Sequence, residues 1–318
     1  MKIVKRTLQV VATLAVLFCL SAVAFIYLAP ERATQMALNA ERNRAGLERK
    51  EITTPDGFHF VYLEGGQGKP LMLLHGFGAD KDNFTRVARW LTPHYHLIVP
   101  DLIGFGESAH PADADYSAKA QATRLHVLAK ALGFTKLDVG GSSMGGQIAM
   151  SWAVQHPEEV GSLWLLDPAG IWSAPRSELA RLVLEEGRNP LIAKSEEEFA
   201  QTFAFVMSDP PFIPRPILNV MAREPIRNAP LAAKIFDQIA VESVEPGVTG
   251  LNTPALIVWG DQDRAINVAT AEILHKLMPH SEVDIMRGIG HLPMVEVPQR
   301  SAEDYLRFRA GQKKLASN

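Results

Sequence analysis

The sequence predicts an α/β protein: a mostly parallel sheet covered by helices on both faces, with a helical cap inserted into it and a transmembrane helix ahead of it. Three observations carry this expectation. Short apolar strands alternate with amphipathic helices over residues 51–170 and again over 251–318, the rhythm of parallel strands joined by crossover helices. Between them, 171–250 offers helical stretches and no buried strand. Ahead of them, Leu8 to Leu28 carries no charge and would make about 31 Å of helix, enough to cross a bilayer. The expected organisation is therefore an anchor over 1–30, a juxtamembrane helix or linker over 31–50, a first core segment over 51–170, a cap over 171–250 and a second core segment over 251–318.

At the N-terminus, the anchor competes with a cleaved signal peptide. Lys2, Lys5 and Arg6 make a basic start, and Ala22-Val23-Ala24 fits the small-residue cleavage rule. The apolar run continues through Phe25, Ile26, Tyr27 and Leu28, so cleavage would leave a greasy terminus, and retention is favoured. Cys19 is the one cysteine and has no intramolecular partner, while Phe18 replaces the small residue that a lipoprotein signal needs. Arg32, Arg42 and Arg44 follow the span, but the tighter cluster at Lys2, Lys5 and Arg6 favours a cytoplasmic N-terminus. Glu31 to Lys50 reads as a helix with a thin apolar stripe of Ala33, Met36, Ala37, Ala40 and Leu47. That stripe would lie on the membrane, pair with a second copy as a homodimer, or belong to a charged spacer.

The globular part follows in order. Glu51 to Glu64 alternates apolar and polar residues around Pro55-Asp56-Gly57 and reads as a hairpin. Pro70 to His75 is a buried strand leading into His75-Gly76-Phe77-Gly78. A helix over Asp82 to Leu91, a strand over His96 to Pro100 and a glycine-rich loop from Asp101 to Ser108 come next. Ser117 to Leu132 has helical periodicity and stops at Gly133. Strand Leu137 to Gly141, helix Met144 to His156 and strand Ser162 to Leu166 continue the alternation. Helices over Ser177 to Glu186, Ser195 to Met207 and Leu231 to Val241 fill the cap, and strands Ala255 to Trp259 and Glu282 to Met286 close the sheet. About 270 residues suit one large domain. A net charge of −3 with mixed signs gives no sign of disorder or of nucleic-acid binding.

Chemistry enters at Gly141-Ser142-Ser143-Met144-Gly145. A serine on a sharp strand-to-helix turn lifts its hydroxyl clear only if the residues two before and two after carry almost no side chain. Alone, such a frame arises about 0.1 times by chance in a chain this long. A serine hydroxyl also needs an imidazole to take its proton, and the imidazole needs a carboxylate. Gly260-Asp261-Gln262-Asp263 and Gly290-His291-Leu292-Pro293 follow later strands and open on the same carboxyl edge. Ser143 is thus the candidate nucleophile, His291 the base and Asp263 its partner, with Ser142, His275, His280, Asp261 and Asp167 as weaker rivals. Met144 N–H and Phe77 N–H are the candidate oxyanion donors. His75 reads as a brace for its turn. No metal or phosphate-cradling constellation and no nicotinamide fingerprint is evident, so no cofactor and no metal are expected.

His75-Gly76-Phe77-Gly78, Asp101 to Ser108, Gly141 to Gly146, Trp259 to Asp263 and Gly290 to Pro293 together resemble the α/β-hydrolase superfamily, over about Glu51 to Ala310. The Ser142 to Gln147 elbow, the Asp167-Pro168-Ala169-Gly170 turn and the N-terminal anchor are similar to bacterial membrane-anchored lipases and phospholipases A and to eukaryotic membrane-bound monoacylglycerol lipases. The resemblance implies an acylglycerol or glycerophospholipid substrate and a catalytic part facing the periplasm from the bacterial inner membrane. The cap concentrates large apolar side chains, among them Phe203, Phe212, Ile217 and Met221, which would roof a pocket for an acyl chain or glue the cap to the core. Other readings are a triad hydrolase of another bond or of small soluble esters (a C–C hydrolase, a cofactor-free peroxidase, a generic esterase) and a non-enzymatic lipid-binding relative.

Overall fold

The structure, a computed structural model, describes residues 2–316; residue 1 of the expected anchor and 317–318 of the expected last segment lie outside the described residues. The apolar run folds as α1 (Lys2–Leu28), whose most apolar window, within Val4–Leu28, has a mean hydropathy of 2.5 and is not buried at all. After Ala29 the chain enters α2 (Pro30–Arg44).

Here the expected helix over 31–50 is corrected in two ways. The helix stops at Arg44, because Gly46 turns the chain at φ +64° and Leu47 already pairs with Gly65 in the sheet. Its buried face matches the expected stripe only in part: Ala33 is buried as expected, together with Thr34 and Arg42, while Met36, Ala37 and Ala40 are exposed. The cause is a specific contact: the Arg42 guanidinium forks onto the Asp82 carboxylate, with Nε 2.6 Å from Oδ1. Glu31 at the start of the helix meets Arg223 of the cap.

The sheet contains β1 (Leu47–Thr53), β2 (His59–Gly66), β3 (Lys69–Leu74), β4 (Tyr95–Pro100), β5 (Leu137–Ser142), β6 (Val160–Leu166), β7 (Ala255–Gly260) and β8 (Ser281–Met286), in the order β1-β2-β4-β3-β5-β6-β7-β8. Strands β3 to β8 run parallel, and β2 is antiparallel to both its neighbours, β1 and β4. The hairpin turn falls at Gly57, whose φ of +88° only glycine adopts without strain. Between the strands lie α3 (Thr85–Leu91), α4 (Ala118–Ala131) and α5 (Met144–Gln155). The cap comprises α6 (Glu178–Glu186), α7 (Glu196–Val206), α8 (Arg215–Arg227), α9 (Ala229–Ile239) and the single turn α10 (Glu245–Val248). Then come α11 (Thr270–Leu277), α12 (Pro293–Glu296) and α13 (Pro298–Ala316). Helix α8 was not among the expected cap helices; in the structure Pro216 occupies its first turn, where no N–H is needed, and Pro225 its last.

Strands β3 to β7 are largely apolar because each buries both faces, whereas the edge strands β1 and β8 carry charged residues and are mostly exposed. Met72, Leu74, Leu163, Leu165 and Ile257 pack under α4, α5 and α11, while Leu71, Leu73, Trp164, Leu166 and Val258 pack under α3 and α13. Alternate residues of one strand thus serve two cores, as the period of two requires. What positions the site is the point where strand order reverses. From β3 the chain steps to β4 on one side, then returns to place β5 on the other. The loops after β3 and β5 therefore diverge and leave a crevice at the carboxyl edge.

One buried ion pair ties the loops of that edge together. Lys81 Nζ lies 2.9 Å from Asp101 Oδ2, both side chains being all but fully buried. Lys81 N–H and Glu107 N–H donate to the same carboxylate at 2.7 and 2.8 Å. Burial alone would lower the Lys81 pKa, but the carboxylates of Asp101, Asp80, Asp82 and Glu107 outweigh it and raise it, so the lysine stays charged. Lys81→Met removes one partner and strands a buried carboxylate, which is expected to lower unfolding stability by about 3–5 kcal/mol. Denaturant unfolding of the full-length protein measures this, and a loss below about 1 kcal/mol contradicts it.

Candidate active site

Ser143 sits between the last residue of β5 and the first of α5 with φ +55° and ψ −120°. This conformation is costly for a residue with a side chain, and its surroundings hold it. Its N–H donates to Leu166 O at 3.0 Å, and its carbonyl accepts from Gly146, Gln147 and Ala169 N–H at 3.0, 3.1 and 3.0 Å. The flanking glycines are required by contact. A Cβ on Gly141 would stand 2.2 Å from Gly145 O, and one on Gly145 would stand 2.1 Å from Leu74 O. Ser143 is half-buried at the crevice. Ser142, the rival, is fully buried with its Oγ unpaired.

The loop after β8 delivers His291, and the loop after β7 delivers Asp263. His291 Nδ1 lies 2.7 Å from Asp263 Oδ2, and both side chains are buried. Asp263 Oδ1 accepts from Ala265 and Ile266 N–H at 2.7 and 3.0 Å. With Asp263 ionised, the imidazole proton sits on Nδ1 and leaves Nε2 with a lone pair. Asp261 plays a different part: its Oδ1 accepts from Gly288 N–H at 2.7 Å and pins the two loops to each other. His275 binds Ser281 Oγ, at the opposite end of β8.

The loop after β3 brings Phe77 to the other side of Ser143. A Cβ on Gly76 would be 3.2 Å from Ser143 Cβ, so the two turns are in contact. His75 fixes this turn. Its Nδ1 donates to Gly76 O at 2.8 Å and its Nε2 accepts from Leu102 N–H at 3.0 Å, which defines a neutral ring. Complete burial lowers its pKa and keeps it neutral. Met144 opens α5, so its N–H is one of those without an intrahelical acceptor and lies at the positive end of the helix dipole.

The cap is fastened to this edge at several points. His291 N–H donates to Val206 O at 2.8 Å. Glu296 accepts from Ser208 and Asp209 N–H on one oxygen and from Gly290 N–H on the other. Gln147 Nε2, on the elbow helix, reaches Ile239 O and Glu242 O at 3.1 and 2.8 Å. Phe77 stands edge-on to Phe105 and to Phe236 of α9, at 5.7 and 5.4 Å between centroids. Phe236 and Glu296 carry no signal in the sequence, and the part Gln147 plays beyond the elbow carries none either, because their partners lie 6 to 159 residues away along the chain and leave no local pattern.

The four cap residues named from sequence divide. Phe203 and Met221 are half-buried and pack with Phe199, Leu218 and Ala222 in a small apolar cluster of the cap. Ile217 is half-buried on α8. Phe212 is corrected: it is 91% exposed and roofs nothing, because the proline-rich loop before α8 turns it outward. Among the described residues, two groups of side chains stand at metal-ligand spacing, Asp167–Asp263–His291 and His126–His156–Glu159. In the second, Glu159 is already engaged by His126 and Lys130, each at 2.8 Å.

A parallel sheet, a strained serine elbow at the carboxyl edge and a His–Asp pair in the neighbouring loops define a class, and the chain belongs to the α/β hydrolase fold family, which it matches over residues 69–298. Within it, the chain is 46% identical over 285 residues to Lipase 1 of Psychrobacter immobilis, covering 87% of this chain and 89% of that one. It is 30% identical over 280 residues to a monoacylglycerol lipase of Xenopus laevis, covering 82% of each. Among solved structures it is similar to a bacterial membrane phospholipase A, with a TM-score of 0.86, 37% identity, and coverage of 95% of this chain and 98% of that one. These relatives agree with the resemblance read from the motifs.

Gly145→Ala forces a methyl group into the Leu74 carbonyl and pushes the elbow away from the β3 loop. We expect a loss of about 3 kcal/mol in unfolding stability, read by thermal denaturation. An unchanged midpoint would show that the elbow has room to relax.

Proposed function

We propose that this protein is a membrane-anchored serine ester hydrolase that releases fatty acid from acylglycerols or glycerophospholipids. The observation that carries the reading is the buried 2.7 Å contact between His291 Nδ1 and Asp263 Oδ2, on the sheet edge that also bears Ser143. Ser143 Oγ attacks the acyl carbonyl carbon while His291 Nε2 takes its proton. The negative charge passes to the carbonyl oxygen, where Phe77 and Met144 N–H groups receive it; each such donor is worth about 2.7–4 kcal/mol of barrier. The tetrahedral centre collapses, His291 hands its proton to the departing alcohol, and an acyl ester remains on Ser143. Water, deprotonated by His291, attacks that ester, and the fatty acid leaves as the serine regains its proton.

Lipid as substrate and a membrane as location rest on three supports. The relatives are named lipases, a monoacylglycerol lipase and a membrane phospholipase A. Helix α1 exposes Leu8, Leu14, Leu17, Phe18 and Leu20 on its surface, an apolar area that water does not tolerate on a monomer. Helix α8 of the cap touches both α1 and α2, so an acyl chain leaving the bilayer has a short path to the cap. The basic start at Lys2, Lys5 and Arg6 orients α1 with its N-terminus in the cytoplasm, and the catalytic part then faces the periplasm of a bacterial inner membrane. A homodimer would use α1 and the outer face of α2, where Met36 is exposed.

Two measurements test this. Ser143→Ala is expected to remain folded and membrane-bound with esterase turnover reduced by about 10⁴-fold or more; appreciable residual turnover would remove Ser143 from the mechanism. Full-length protein in mild detergent is expected to release fatty acid from a monoacylglycerol, a diacyl phospholipid or a lysophospholipid. Turnover of short soluble esters or of a vinylogous diketone, with none of these three, would assign the site to a generic esterase or a C–C hydrolase.

A further inference from the structure

Asp167 follows β6 on the same carboxyl edge as Ser143 and is completely buried. Its φ of +46° is uncommon for a residue with a side chain. The backbone is held there by its own N–H, which donates to Val258 O at 2.9 Å, and the side chain by Gly260 N–H, which donates to Oδ1 at 2.9 Å. Strain maintained this way aims a carboxyl group into the space between the loops after β6 and β7. There its second oxygen, Oδ2, is buried and meets no donor. The carboxyl group faces the candidate pair itself, since Asp167, Asp263 and His291 each place an oxygen or nitrogen within 4.8 Å of the other two.

Asp263 already accepts from His291, Ala265 and Ile266. An ionised Asp167 would set a second buried negative charge against it, with Oδ2 unsolvated, and both costs are large in a water-free site. A proton on Oδ2 removes the second charge and turns an orphaned acceptor into a donor that faces a carboxylate. The groups around it agree. Burial first, then the Asp263 charge, push the Asp167 carboxyl well above the usual carboxylate range; Glu296 on α12 adds to this, and only the Gly260 N–H opposes it among the larger influences.

We propose that Asp167 is a positioning residue for the His291–Asp263 pair: its carboxylic acid donates a hydrogen bond from Oδ2 to the Asp263 carboxylate and keeps Asp263 turned toward His291 Nδ1. The inference rests on the ester-hydrolase reading, and it adds a third group to the pair without adding a charge.

The test is the pH profile of kcat and kcat/KM for a short-chain ester, measured on full-length protein in detergent for Ser143→Ala, Asp263→Asn, Asp167→Asn and Asp167→Ala. Asparagine tolerates positive φ, is neutral and offers an N–H where Asp167 offers an O–H. Asp167→Asn is therefore expected to keep activity within about threefold, with the acidic limb of the profile unmoved. Asp167→Ala is expected to lower kcat about ten- to a hundredfold with little change in KM, the size of one hydrogen bond to a charged group. Should the alanine variant fail to fold, the asparagine variant decides through its acidic limb. A shift of that limb to lower pH in Asp167→Asn overturns the proposal, because it would mean that a negative charge beside His291 had been removed. Wild-type kcat and profile in Asp167→Ala overturn it too. So does activity lost in Asp167→Asn but kept in Asp263→Asn, which would make Asp167 the partner of His291. Activity surviving in Ser143→Ala sinks the ester-hydrolase reading itself, whereas an inert Ser143→Ala beside wild-type behaviour of both Asp167 variants sinks this inference alone.

Discussion

The backbone of Ser143 is held at φ +55°, and much of the molecule serves to keep it there. A residue in this conformation relaxes unless its neighbours over-determine it. Four hydrogen bonds on its own peptide groups, from β6, α5 and the turn after β6, do so. The glycines on either side let the β3 loop press against the elbow, with the position of a Gly145 Cβ already occupied by Leu74 O. The serine hydroxyl is therefore presented by packing between three consecutive members of the sheet, β3, β5 and β6.

The same tightness extends outward. His75, neutral and buried, joins the β3 loop to the β4 loop through Leu102, and the Lys81–Asp101 pair joins them again one layer further out. Arg42 carries the connection to α2, which follows directly on the apolar helix α1. A charged network under an active edge is costly to build, since each ion gives up its hydration. Here its members are saturated: Asp101 accepts from Lys81 twice and from Glu107 N–H. Rigidity in the turn that carries Phe77 is what that saturation produces. On the opposite side, Glu296 and Val206 bind the His291 loop to the cap, so movement of α7 and movement of His291 are mechanically linked.

Much of this was legible in the sequence because it is written in local periods. Alternation of short strands and helices, the hairpin at Gly57, the elbow around Ser143 and the apolar N-terminal run all depend on residues within a few positions of each other. The element limits that were misread share a cause. Leu47 to Lys50 continue a helical composition, and only their pairing with β2 makes them a strand. Met36 and Ala40 continue the apolar stripe that starts at Ala33, and only the Arg42–Asp82 contact, across 40 residues, brings Thr34 and Arg42 inward beside Ala33 in their place. Phe212 reads as part of a roof until the loop before α8 turns it into solvent.

What the sequence determined by itself is the fold class, the family and the short list of groups able to do chemistry, because periodicity and glycine spacing follow from backbone sterics that act over a few residues. Tertiary structure decided which of those groups meet. It placed Asp263, rather than Asp261, on His291, buried Ser142 and left Ser143 at the crevice. It also put the carboxyl of Asp167 against the pair, although nothing in Leu166-Asp167-Pro168 distinguishes a loop brace from a third member of the site. Those outcomes depend on the reversal of strand order beside β3 and on loops that converge from separate strands, Asp263 meeting His291 across 28 residues, where no period in the chain reaches.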